Sequence, residues 1–146
     1  MATYSSDQYL ANTPTPSPAG YAGTAKVAYF SVTCSAAPTT SDTINFGYLP
    51  AGARVVLAVL ESSDMDTGGS PSLTINVGDA GDADRLFAAS TVGQAGTVST
   101  AIAATGAGYS YSSKTLITGV AAANAATGTS GTLNLTIFYI QEGVAS

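Results

Sequence analysis

The chain has 146 residues with 4 Lys+Arg against 9 Asp+Glu, a net charge of -5, no His, no Trp and one Cys. Without His there is no Ser-His-Asp or Cys-His triad and no imidazole general base, and without a second Cys or a His there is no zinc or haem site of the usual kind. Four basic residues and a pI near 4.1 give no cationic footprint for nucleic acid or anionic lipid, so neither is expected as a partner.

Residues 1–24 read as an extended arm. Pro14, Pro16 and Pro18 alternate with small residues, fix φ and disfavour helix at the residue before each. Tyr4, Tyr9, Leu10 and Tyr21 are apolar anchors along this otherwise polar segment, which is therefore read as partner-binding. No charged region followed by an apolar run opens the chain, and no segment approaches the ~20 apolar residues that span a bilayer. Synthesis in the cytoplasm without export, and no membrane partner, are the expectations.

From Lys26 the pattern has a period of two. Lys26–Cys34 predicts a strand with Val27, Tyr29 and Ser31 on one face and Ala28, Phe30 and Val32 on the other. Thr43–Leu49 predicts a half-buried strand with Ile44, Phe46 and Tyr48 together. A Leu49-Pro50-Ala51-Gly52 turn then feeds Arg54–Ser62, the most apolar run, predicted as a buried strand. Ser72–Asp79 predicts an edge or surface strand with Leu73, Ile75 and Val77 inward. The stretch Asp79–Ser90 suits a helical turn capped by Asp82 or Asp84, or a short strand at Arg85–Ala88. Thr97–Thr105, Tyr109–Ala123 and Gly131–Gly143 complete the β-compatible runs. In the last, Leu133, Leu135, Ile137 and Tyr139 line one face while Phe138 and Ile140 make the other partly apolar, which predicts a central strand. About eight short strands separated by Gly-rich turns, with no long helix, predict an all-β sandwich or jelly roll over residues 25–146.

Candidate chemistry is sparse. Asp64 and Asp66 in one loop and Asp79, Asp82 and Asp84 in another are weak candidates for an oxygen cage of the kind Ca²⁺ takes, but they match no EF-hand. Short acidic side chains that cap turns explain them better, so no metal or other cofactor is expected. Glu61 and Asp64 are a possible carboxylate pair, yet the chain has no Trp and only 8% aromatic residues with which to wall a sugar cleft. Tyr109 and Tyr111 fit either a core-facing strand or a protruding aromatic pair, and Cys34 reads as a small buried hydrophobe. Nothing catalytic stands out, and the chain is expected not to be an enzyme. With 9% charged residues, and Ala, Thr, Ser and Gly more than half of the chain, the surface favours assembly.

The order Gly47-Tyr48-Leu49-Pro50-Ala51-Gly52-Ala53-Arg54-Val55, then Leu73-Thr74-Ile75-Asn76-Val77-Gly78-Asp79, Asp82-Ala83-Asp84-Arg85-Leu86 and Val92-Gly93-Gln94-Ala95-Gly96 resembles small virion structural proteins of tailed bacteriophages, of the capsid decoration or cement type. The resemblance covers a third to a half of the chain. It implies a β-sandwich or jelly-roll body, a homo-oligomer of the trimer kind, a place on the outer capsid surface and a major capsid protein as partner. The rival readings are a self-assembling shell or tube subunit and a glycan- or receptor-binding sandwich of a tail fibre. Whether the arm meets a capsid subunit or a second copy of the chain, the sequence leaves open.

Overall fold

A computed structural model describes residues 25–141; the arm residues Tyr4, Tyr9, Leu10, Pro14, Pro16, Pro18 and Tyr21 lie outside them. Eight strands follow in order: β1 (Ala25–Cys34), β2 (Ile44–Leu49), β3 (Ala53–Ser62), β4 (Thr74–Asp79), β5 (Asp82–Ser90), β6 (Val98–Ser99), β7 (Thr115–Ala123) and β8 (Gly131–Gln141), with one 3₁₀ turn at Val92–Gln94. They form two four-stranded sheets, ordered β1-β8-β3-β6 and β2-β7-β4-β5, every pairing antiparallel. This interleaving is jelly-roll topology, as the strand spacing predicts.

Alternation decides what each strand buries. Leu133, Leu135 and Ile137 of β8 point between the sheets and are buried, as are Ala53, Val55, Ala58 and Leu60 of β3. From the opposite sheet Ile44, Phe46, Ile75, Val77, Phe87, Ile117 and Ala121 meet them. Packing these two inner faces expels water from the largest apolar side chains of the protein, the dominant favourable term in folding. Met65 and Leu73, both in loops, plug one end.

Three expectations are corrected and one alternative is decided. Of the two readings of Asp79–Ser90 the strand holds: Asp82–Ser90 is β5, paired antiparallel with β4 with Asp79 opposite Asp82, Val77 opposite Phe87 and Ile75 opposite Ser90. β4 lies inside its sheet between β7 and β5 rather than at an edge. Only Val98–Ser99 of the Thr97–Thr105 run is strand, since Ile102 to Gly106 turns through its own backbone hydrogen bonds to reach β5. The apolar run of β3 is buried on one face only. A bulge between Val55 and Leu57 leaves Val56 and Leu57 facing outward.

Candidate interaction surface

The outward face of the β1-β8-β3-β6 sheet carries the feature that the core does not explain. Register places Val27 of β1, Phe138 of β8 and Leu57 of β3 in one row across three strands, with Tyr29, Thr136 and Val59 in the next and Ala25, Ile140 and Arg54 beyond. Val27 is 56% exposed, Tyr29 60% and Val56 at the bulge 55%; Val98 of β6 is exposed as well. From strand spacing and rise, these rows span roughly 15 by 20 Å, or about 300 Å². That is the lower end of the range for the largest apolar patch on a monomer, a patch that is often functional. The outward face of the other sheet is interrupted by Asn45, Asn76 and Thr118.

The far end of the same face turns polar. Asn134 stands between Ser31 and Glu61, and its side-chain oxygen is shielded without a hydrogen-bond partner among the described residues. An apolar centre beside a polar margin with an acceptor to fill is the anatomy of a protein contact.

The acidic loops are built as caps. Asp66, 1% exposed, accepts backbone N–H bonds from Ser72 (2.6 Å), Leu73 (2.9 Å) and Ala126 (3.1 Å) on Oδ2 and from Thr127 (2.8 Å) on Oδ1. Burial opposes its ionisation, but those four donors prevail and hold its carboxyl well below the usual range. Asp64 Oδ1 in turn accepts the Asp66 N–H at 3.1 Å. One side chain thereby staples the 64–73 loop to the 124–128 loop. Glu61 sits in β3 opposite Asn134 and Val98, while Asp64 caps its loop.

Asp79 closes the β4–β5 hairpin. Its Oδ1 accepts the N–H groups of Gly81 (2.8 Å) and Asp82 (3.1 Å), and Arg85 donates from Nε at 2.5 Å and Nη2 at 3.2 Å. Burial works against the charge and the Arg85 bond outweighs it, so the carboxyl titrates below its ordinary value. The Arg85 guanidinium lies 3.8 Å from the Tyr109 ring centre, and Tyr109 meets Tyr111 edge-on at 4.9 Å. Tyr111 is buried outside any strand, its shielded hydroxyl near Asp79, and burial followed by the Asp79 charge pushes its pKa up. The tyrosines are thus an internal stack. Through Tyr109, Tyr111 and Gly108 the loop bonds the β3 backbone, while Ala103 and Thr105 bond β5, so it ties the two sheets together. Among the described residues no group of three or more His, Cys, Asp or Glu is placed to hold a metal ion.

Cys34 is half-buried at the end of β1, and burial, then the charge of Asp42, raises its pKa. The depression beside it, about 450 Å³, is lined by Val32–Pro38 and Asp42–Asn45. A second, about 340 Å³, is lined by Phe87–Val92, Thr97–Ser99 and Ala101. The first holds Cys34 and Asp42 together, but Asp42 Oδ2 accepts from the Thr39 N–H at 2.8 Å and hydroxyl at 2.7 Å, and its charge disfavours the thiolate.

The sequence pattern had flagged Phe138 and Ile140 as a second apolar face of β8, but gave no sign of Val56 and Leu57, whose exposure comes from the bulge.

No family model matches the chain, and no curated protein sequence does. Solved structures do. A chain of the cyanophage Pam1 capsid asymmetric unit is 40% identical with a TM-score of 0.79, the match covering 97% of this chain and 99% of that one. A chain of the capsid of Ralstonia phage GP4 is 36% identical with a TM-score of 0.75, covering 90% of this chain and 93% of that one.

Proposed function

Because the chain belongs to the family of phage capsid proteins that includes these Pam1 and GP4 chains, we propose that it is the decoration, or cement, component: a non-enzymatic protein that binds the outer surface of the shell and bridges neighbouring major capsid subunits. The observation that carries the reading is the exposed apolar face of the β1-β8-β3-β6 sheet on a rigid jelly roll. A cement protein needs a stiff body, a contact face and many copies, and it needs no reactive centre.

The face supplies the apolar centre of a capsid contact, and its roughly 300 Å² is less than half of the ~800 Å² that each partner gives to a stable interface. One copy alone therefore binds weakly. A homo-oligomer, a trimer in this reading, places several such faces on the lattice at once, and the linked contacts multiply. Residues 1–24, with Tyr4, Tyr9, Leu10 and Tyr21, cross from one subunit to the next.

The test is to mix purified protein with undecorated heads, sediment them, and follow the thermal resistance of the heads. Wild type is expected to co-sediment and protect. A variant with Val27→Asp and Leu57→Lys, both exposed and free of core packing, is expected to stay folded and remain in the supernatant. Binding by that variant at wild-type level overturns the assignment of the face. Unaided growth into shells or tubes makes the chain a principal shell subunit instead.

A further inference from the structure

The jelly roll has four sheet edges, and three are blunted. β6 is two residues long. β5 carries Asp82, Asp84 and Arg85, two register breaks against β4, and Ala89 at φ 46. β2 has six residues and a bulge between Asn45 and Gly47. The fourth, β1, has none of these devices. It runs ten residues in unbroken register with β8 and contains neither Pro nor acidic residue; Lys26 is its one charge. In an antiparallel ladder about half of a strand's N–H and C=O groups point away from its one neighbour. Among the described residues no backbone hydrogen bond reaches that open side. A long, regular edge with one charge and no partner among the described residues is a template for another strand.

The occupant is specified by the chain itself. Ahead of Ala25 lie 24 residues, and their prolines are confined to 14–18. The run from Ala2 to Ala11 therefore keeps every N–H a ladder needs. Asp7 is the only charged side chain in residues 1–24, and Lys26 the only one in β1. Setting Asp7 opposite Lys26 in antiparallel register lays residues 2–8 along residues 31–25 and brings Tyr4 opposite Tyr29, an aromatic pair on the same outward face as Val27.

We propose that residues 2–8 of one copy add as an antiparallel fifth strand to the β1 edge of a neighbouring copy along residues 25–31, with Asp7 beside Lys26 and Tyr4 beside Tyr29. The inference rests on the homo-oligomer of the reading above and names where the arm goes. Alternating prolines favour an extended path over a return to the same subunit, and residues 12–24 span up to about 40 Å, enough to reach the next body. The contact is head-to-tail, so a ring closes it.

Full-length protein carrying Cys34→Ser, Tyr4→Cys and Tyr29→Cys, oxidised at micromolar concentration, tests this pairing. The expected result is a ladder of disulfide-linked chains on a denaturing gel, abolished by adding Ser6→Pro, which removes an N–H from the strand. A bridge within single chains overturns exchange between copies, and no bridge overturns the pairing. By light scattering, Ser6→Pro alone is expected to fall to the 14.4 kDa monomer while keeping the β-sheet circular dichroism of the folded body, its melting temperature lowered to that of wild type diluted to the monomer. An unchanged oligomer mass likewise rules the exchange out. Heads enter neither measurement, so failure to decorate a shell leaves this result standing and conversely.

Discussion

Replacing Asp79 with Asn removes the charge that Arg85 faces while leaving one oxygen to accept the Gly81 and Asp82 N–H bonds. Breaking a buried ion pair from one side typically costs about 3–5 kcal/mol. Here Arg85 retains Asp82 at 3.8 Å and the Tyr109 ring, and both partners keep a little solvent, with 13% and 6% of their side chains exposed. The expected loss is therefore smaller, about 2–3 kcal/mol, which for a domain of this length lowers the melting temperature by roughly 6–9 °C. Thermal and urea melts of Asp79→Asn, Arg85→Met and the double variant form a cycle, and a coupling of about 1–2 kcal/mol is expected between the two sites. The pH dependence has a defined sign. The folded carboxyl titrates below 3.8, so the pair's contribution is complete above that pH and is lost as pH falls through the folded value. Asp79→Asn is thus expected to shed part of the wild-type acid sensitivity. If the single variants cost no more than a surface change, about 0.5 kcal/mol, or if their effects add, the lock between the hairpin and the 100–112 loop is refuted.

Tyr111→Phe is expected to be neutral or stabilising by calorimetry, because it deletes a buried hydroxyl that has no hydrogen-bond partner among the described residues; a loss above about 1 kcal/mol would reveal a bond to Asp79. Gly78→Ala would drive a methyl into the Asp82 carbonyl oxygen and the Ala83 backbone, neither of which can swing aside, and is expected to cost about 3 kcal/mol in urea melts; a smaller loss would show that the hairpin yields. Asp66→Asn turns an acceptor into a donor facing backbone N–H groups, so amide exchange should quicken at Ser72, Leu73, Ala126 and Thr127 together. Exchange confined to one of the two loops would refute the staple. Wild-type protection at those amides is expected to persist at neutral pH and to fade only in strong acid, since the Asp66 carboxyl ionises well below 3.8.

The strands were legible because period-two alternation survives in nearly all of them. Leu133, Leu135 and Ile137, or Ile75 and Val77, announce both their extended backbone and their inward face. Asp79–Ser90 was ambiguous because the acidic and basic side chains at its start resemble a cap; antiparallel pairing with β4, Phe87 against Val77, settles it. Thr97–Thr105 had strand composition but no neighbour to pair with beyond Ser99, and pairing is a tertiary property that no local window contains. The interaction face was half legible. Phe138 and Ile140 mark β8 as apolar on both sides, whereas the bulge that turns Val56 and Leu57 outward depends on register against β8. The Asp66 staple joins residues some 60 positions apart, so its acceptor role is invisible until the two loops meet.

The nesting of the strand pairs governs the time course of folding during synthesis. β4 and β5 are adjacent in sequence and close first, β7 then joins β4 and receives β2, and β8 alone supplies the long neighbour of both β1 and β3. Until Gly131–Gln141 leaves the ribosome, two ten-residue apolar strands have no ladder to enter, and closing β1 onto β8 spans nearly the whole described chain. The newborn protein is therefore a folded hairpin layer trailing two open strands, sensitive to protease at β1 and β3 and prone to pairing with other nascent copies. Stalled chains ending before residue 131 should be cleaved within β1, and chains a full exit tunnel longer should resist.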